Sequence, residues 1–219
     1  MKIVCLSFDD GTIYDLRFIE LLNKYKLTAT LNLNSGLDGF VWYYGSQPIE
    51  RLKLKEVVSK YDGHEVCSHS LTHPYFSSLN KEEIIRQVKE DMNNLSSIFN
   101  REAVGFAFPF HDQTEDNIQT IKNNIDLKYI RYSCFKEEYV PQDRYHIPLN
   151  ALYDDKDIYE KLEKFSKNNL ENSLFVIAGH SYEFEVKNIW TKIEELLKYL
   201  SNNKEFEVKT LKEAVEIIF

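Results

Sequence analysis

The sequence predicts an α/β protein built on a mostly parallel sheet. Two observations carry that expectation. Short apolar runs of strand length alternate with amphipathic stretches of helix length along the whole chain. Several apolar runs also end directly on polar side chains able to do chemistry. In parallel α/β folds, closed barrels included, the C-terminal strand ends are where sites are built.

Strands are predicted over 3–8, 28–34, 65–68, 105–108, 128–132 and 173–178. The first, Ile3-Val4-Cys5-Leu6, and the last, Leu174-Phe175-Val176-Ile177, are apolar on both faces, as buried strands are. Helices are predicted over 14–25, 54–60, 81–99, 115–123, 156–168, 187–201 and 211–218. In the longest, Ile84, Ile85, Val88, Met92, Leu95 and Phe99 make one apolar stripe. Asn80 serves as its N-cap, with Glu83 three residues on. The stretches 35–51 and 133–150, rich in aromatic residues, glycine and proline, read as long loops that shape a groove.

The 219 residues suffice for one domain, 1–219, with a full core. A formal charge of −8 disfavours nucleic acid and anionic membrane as partners, and no basic run offsets it. No run of about 18 apolar residues predicts a membrane span. The first residues are already strand-like and leave no room for a signal peptide, so the chain as it stands is expected in the cytoplasm. An export signal would have to belong to a longer precursor. Cys5, Cys67 and Cys134 are isolated and odd in number, which predicts free thiols rather than a disulfide framework.

Ser7-Phe8-Asp9-Asp10-Gly11 closes the first strand on two adjacent carboxylates. Like charges this close raise one another's pKa, and a cation relieves that cost. Asp-Gly alone is also an ordinary turn, but the residues after Gly11 have helical periodicity rather than that of a hairpin. His69-Ser70-Leu71-Thr72-His73-Pro74 carries two imidazoles four residues apart. One helical turn would align them, whereas Pro74 pushes His73 toward a loop conformation. Asp10 with the two histidines makes a nitrogen and oxygen donor set suited to Zn²⁺, other first-row divalent ions also fitting. His180 ends the last long strand and reads either as a hydrogen-bonded structural residue or as an acid/base group, with Tyr182, Glu183 and Glu185 near it. His64 and His146 read as structural, and His111, after Phe108-Pro109-Phe110, stays open.

Together these segments resemble the metal-dependent polysaccharide deacetylases of the carbohydrate esterase family 4 type. Ser7-Phe8-Asp9-Asp10-Gly11 resembles the first motif, T/S-F-D-D-G, and His69 to Pro74 the second, H-S/T-x-x-H-P. Phe175 to His180 resembles the last apolar strand, which leads to a histidine. The resemblance implies an irregular (β/α)7 barrel and a hydrolase that removes acetyl groups from N-acetylated, less often O-acetylated, carbohydrate. It implies Asp9 as general base, His180 as general acid, and Asp10, His69 and His73 as ligands of one divalent metal. It implies the backbone N–H of Phe110 as a donor to the oxyanion. A deacylase or deformylase of a lipid-linked sugar or small amide would keep the same residues around a closed apolar pocket. A sugar-binding module that retains metal without turnover is the alternative outside enzymes.

The chain departs from the family pattern in the middle. Where the third motif has R-x-P-Y/F, it reads Ala107-Phe108-Pro109-Phe110, so the arginine that orients the base is absent. The fourth motif has no clear counterpart. Arg131, in Tyr129-Ile130-Arg131-Tyr132, is expected either to face solvent or to supply the missing guanidinium from a neighbouring strand. The last motif, usually L-x-H, reads Ala178-Gly179-His180 and continues as Ser181-Tyr182-Glu183, a polar tail expected to line the substrate cleft. Glu183 is expected to hold the second ring nitrogen of His180.

Overall fold

The computed structural model describes residues 1–110 and 112–219; His111 lies outside the described residues. In chain order the elements are β1 (Lys2–Asp9), α1 (Asp15–Lys24), β2 (Thr30–Leu33), β3 (Val41–Tyr44), β4 (Gln47–Glu50), β5 (Glu65–Ser68), α2 (Lys81–Phe99), β6 (Gly105–Ala107), α3 (Glu115–Asn124), β7 (Tyr129–Phe135), β8 (Ile147–Leu149), β9 (Ala151–Leu152), α4 (Ile158–Ser166), β10 (Ser173–His180), α5 (Ser181–Val186), α6 (Trp190–Asn202), β11 (Glu207–Val208) and α7 (Leu211–Ile218). None of these helices is long and apolar enough to cross a membrane.

One sheet runs β8-β7-β6-β5-β2-β1-β10-β9, every pair parallel. Its two edges, β8 and β9, are separated only by Asn150, so the sheet closes on itself through one continuous segment. Asn150 seals that seam. Its N–H donates to the Val176 carbonyl at 2.9 Å, and its Oδ1 accepts from the Val176 N–H at 2.7 Å. Counting β8–β9 as one stave beside β1, β2, β5, β6, β7 and β10 gives the irregular seven-stave β/α barrel. The added β11 lies along β1.

Period-two alternation sorts each strand. In β1, Val4, Leu6 and Phe8 turn outward beneath the helices, packing with Phe18, Ile19 and Leu22 of α1. Ile3 and Cys5 turn inward with Leu174, Val176 and Ala178 of β10 and with Cys67 and Tyr129, and α7 closes this layer through Leu211, Ala214 and Val215. A third cluster joins Phe106, Phe108 and Ile130 to α2 and α3. Burying each Phe or Leu this way contributes about 1.5–3 kcal/mol. The inward parity that starts at Ile3 and Leu174 reaches Asp9 and His180, which puts both on the inner side at the C-terminal rim. Cys5, Cys67 and Cys134 are free thiols.

Four expectations need correcting. Residues 54–60 form two short 3-10 turns, Leu54–Glu56 and Val58–Tyr61, not an α-helix. The stretch 35–51 holds an antiparallel hairpin, β3 with β4, closed by Gly45-Ser46. Gly45 takes a φ of 62°, as the first central residue of a type II′ turn requires. The stretch 133–150 is partly strand: β7 runs on to Phe135 and β8 begins at Ile147. The tail after His180 is a short helix, α5, and Ser181 points down into the fold rather than into the cleft.

Ser181 fastens α5 to α1. Its hydroxyl donates to Asp15 Oδ1 and lies 3.0 Å from Thr12 Oγ1, while Tyr61 donates to Asp15 Oδ2 at 3.1 Å. Burial pushes the Asp15 carboxyl up to about 7, outweighing these bonds. Between about pH 4 and 7 the unfolded chain has already lost this proton while the fold retains it. The contribution of Asp15 to stability is therefore fully present below about pH 4 and falls as pH rises, by roughly 1.4 kcal/mol per unit at most. Asp15→Asn should remove that part of the slope and gain most over wild type near pH 8. Chemical denaturation of both proteins at pH 5 and pH 8 checks this; an unchanged pH dependence would exclude Asp15 as its source.

Candidate active site

The site is a cavity of about 630 Å³ at the C-terminal mouth of the barrel. The functional side chains come from few places: Asp9 and Asp10 from the end of β1, His69 and His73 from the loop after β5, Arg131 from β7 and His180 from the end of β10. Parallel register sets them at one level: Asp9 pairs with Asn32 of β2 and with His180 of β10, and Ala107 pairs with Arg131.

Asp9, 7% exposed, is held from two sides. Asn32 Nδ2 donates to its Oδ1 at 2.6 Å, and Arg131 Nη2 donates to Oδ1 and Oδ2 at 2.8 Å each. Arg131 is therefore buried and paired, not solvent-facing, and it stands beside Ala107, where the family motif has its arginine. The small side chain of Ala107 leaves that space to the guanidinium of the neighbouring strand.

Asp10, His69 and His73 bring one oxygen and two nitrogens within 4.8 Å of one another. The four-residue spacing is compatible with a helical turn, but the two histidines sit in a loop. Ser70 has a φ of 71° and His73 a φ of 54°, with the His73 N–H donating to Ser70 Oγ at 3.1 Å. Pro74 disfavours αR at His73, which is the physical reason. The two rings meet at 4.9 Å between centroids. His69 Nδ1 lies 2.8 Å from the Ala107 carbonyl, so this nitrogen carries the proton and Nε2 is turned to the site. Burial lowers the pKa of both histidines, which keeps them neutral as ligands must be. Burial opposes ionisation of Asp10, but the Arg51 guanidinium and then the protonated His180 outweigh it and hold the carboxyl below its usual range. Neutral imidazoles with an ionised carboxylate suit a divalent first-row metal.

His180 Nε2 lies 3.8 Å from Asp10 Oδ2, and Nδ1 lies 3.9 Å from Glu183 Oε1. Burial lowers its pKa, but Glu183, Asp10 and Asp9 more than compensate and raise it to about 9. Glu183 is itself fixed by Tyr153, whose hydroxyl donates to Oε2 at 2.5 Å, and by Lys187 at 3.3 Å. These contacts and His180 overcome burial and bring the Glu183 carboxyl down to about 2. An imidazolium backed by a carboxylate is an acid aimed into the cavity.

Aromatic rings rim the mouth. On one side Tyr182 touches Trp42 and Tyr44 of the hairpin, centroids 5.5 and 5.7 Å apart. On the other, Phe110 stacks on Tyr75 at 4.1 Å and meets His73 at 4.5 Å. His146 bridges Asp143 and Glu115 away from the cavity. His64 is buried, also away from it.

Three polar residues of the site carry no recognisable motif in the sequence: Asn32, Asn34 and Arg51. The alternation in β2 is the available signal for two of them, since Asn32 and Asn34 share the inward parity of Thr30. Arg51 follows the unforeseen hairpin and has no local signal.

Residues 1–130 match a family model described as polysaccharide deacetylase. Over 99 residues the chain is 30% identical to the peptidoglycan-N-acetylmuramic acid deacetylase PdaC of Bacillus subtilis (strain 168), covering 44% of this chain and 19% of that protein. The chain thus matches about a fifth of that relative's length. Among solved structures it is similar to the Xyl-CE4 domain of a multidomain xylanase from the hindgut metagenome of Trinervitermes trinervoides, with TM-score 0.62 and 16% identity over 98% of this chain and 90% of that one. It is also similar to a family 4 acetyl xylan esterase from Clostridium thermocellum in complex with a cobalt ion, with TM-score 0.60 and 17% identity over 98% and 90%. At those identities the structures speak for the fold, and the family match speaks for descent. The chain belongs to the polysaccharide deacetylase family.

Proposed function

We propose that this protein is a metal-dependent hydrolase that removes acetyl groups from N-acetylated carbohydrate. One observation carries the reading: Asp9, Asp10, His69, His73 and His180 converge on one cavity. Asp10, His69 and His73 would hold the ion, most simply Zn²⁺. When bound, such an ion acidifies water and polarises a carbonyl oxygen.

The chain's own groups do the rest. Asp9, held by Arg131 and Asn32, accepts a proton from the attacking water as its oxygen bonds to the amide carbon. The backbone N–H of Phe110 serves the developing oxyanion; such a donor is typically worth about 10²–10³ in rate. His180 gives its proton to the departing nitrogen as the C–N bond breaks, a role typically worth about 10²–10⁴. The rings at the mouth offer faces on which sugars stack. Metal-loaded protein should release acetate from an acetylated chitooligosaccharide, and chelation should stop it. Tight binding of that oligosaccharide without any acetate released would support a sugar-binding module instead.

A second reading concerns the acyl group. The inner wall carries Phe135, Leu149, Leu152 and Ala178. Ala178 stands where the family's L-x-H motif has leucine, so the wall has room for an acyl chain longer than acetyl. On this reading N-propionyl and N-butyryl glucosamine oligomers are cleaved within about tenfold of the acetyl substrate. Ala178→Leu should then favour acetyl by about 10-fold or more, the usual worth of a methylene or two in an apolar pocket. Rates across the acyl series for both proteins check it, and a wild type already confined to acetyl would rule it out.

A further inference from the structure

We propose that Arg51 and Asn34 form a positioning clamp that fixes the spacing of Asp10, His69 and His73, an inference that rests on the metal-dependent reading above. Arg51 is 5% exposed and Asn34 is 3% exposed. Arg51 Nη2 donates to Asp10 Oδ1 at 2.9 Å, and Nη1 donates both to the Asp10 carbonyl oxygen and to Asn34 Oδ1, the latter at 2.5 Å. Asn34 in turn donates through Nδ2 to the carbonyl oxygens of His69, at 2.6 Å, and Ser70, at 2.7 Å. Two side chains therefore tie the loop after β1 to the loop after β5. Those loops carry all three metal donors.

The tie is needed because both loops adopt backbone conformations that non-glycine residues seldom take. Asp10 has a φ of 85°, Ser70 of 71° and His73 of 54°. Each such residue costs about 1–3 kcal/mol and persists only where its surroundings hold it. Arg51 grips Asp10 by both its main chain and its side chain, and Asn34 grips the carbonyl of Ser70. The clamp itself is locked from outside. The Trp42 ring covers the guanidinium at 4.9 Å. The base of the hairpin is stitched down by Arg51 N to Phe40 O, Leu52 N to Gly11 O and Ile13 N to Glu50 O, at 2.9 to 3.0 Å.

Two effects of Arg51 on a metal oppose one another. Its charge repels a divalent ion, whereas its bonds hold Asp10 in place. Ligand-orienting groups of this kind are typically worth about 10–100-fold in metal affinity. The clamp predicts that positioning wins.

The test is a calorimetric titration of the metal-free full chain with Zn²⁺, and a Co²⁺ absorption spectrum, for wild type, Arg51→Ala, Arg51→Lys and Asn34→Ala. Circular dichroism establishes which variants fold. Arg51→Lys keeps the charge but not the two-armed grip, and Asn34→Ala alters no charge. Both should bind Zn²⁺ about 10-fold or more weakly, with altered Co²⁺ bands. Wild-type affinity in both, or tighter binding in Arg51→Ala, would overturn the clamp and leave Arg51 as a repelling cation. These two conservative variants decide the matter even if Arg51→Ala does not fold. A wild type that binds neither ion would remove the metal-dependent reading, and the clamp with it; unchanged variants beside a binding wild type would remove the clamp alone.

Discussion

Asp9→Asn should lose about 10²–10⁴ of the deacetylation rate while keeping its metal, and His69→Ala should lose both. The two residues lie close, Asp9 Oδ2 being 4.0 Å from His69 Nε2, yet their partners differ. Asp9 is held by Arg131 and Asn32, a pairing that orients its carboxylate beside the Asp10, His69 and His73 cluster rather than within it. An amide in its place has nearly the same shape but cannot take up a proton. His69 has one nitrogen fixed by the Ala107 carbonyl and the other turned to Asp10 and His73, so alanine deletes a donor outright. Metal content by elemental analysis and acetate release, measured on the same preparations, separate the two outcomes. An Asp9→Asn enzyme with full activity would remove Asp9 as the base.

The barrel is legible in the sequence because its signal is periodic. Apolar runs such as Ile3 to Leu6 and Leu174 to Ile177 fix their strands and the residues that close them, but being apolar on both faces they do not say which face is inward. Only the packing of the two faces shows that Asp9 and His180 turn inward, but from sequence both can be placed at strand ends. Short β8 and β9 cannot, since three residues and two residues are too few to show a period. The hairpin is hidden for a different reason: Pro48 sits inside β4 and argues against a strand, which an isolated two-stranded ribbon tolerates. Arg51 is lost with the hairpin. Its partners Asp10 and Asn34 lie 41 and 17 residues away, so only folding brings them together. The loop form of the two histidines is half legible: Pro74 argues against a helix, but nothing local foretells how Asn34 holds the carbonyls of His69 and Ser70.

Arg131→Ala should be both inactive and unstable, because it strands a charge rather than merely removing a contact. The guanidinium is 1% exposed and binds both oxygens of Asp9, itself 7% exposed. Breaking a buried pair by deleting one partner typically costs about 3–5 kcal/mol, since the remaining charge stays out of water. Asp9 would be left with Asn32 alone to hold it, so the carboxylate that must meet the water's proton loses its fixed position. Arg131→Lys keeps a charge, but as a single point without the planar fork, and should recover stability better than rate. The neighbouring strand offers a sharper test. Ala107 and Arg131 are register partners on β6 and β7, so Ala107→Arg combined with Arg131→Ala returns a guanidinium to the same level of the barrel from the adjacent stave. If the role of Arg131 is to pair with Asp9, this double variant should regain part of the rate and most of the stability lost in Arg131→Ala. Thermal denaturation and initial rates on the three variants measure it. A single Arg131→Ala variant that melts and turns over like wild type would show that Asp9 needs no such partner.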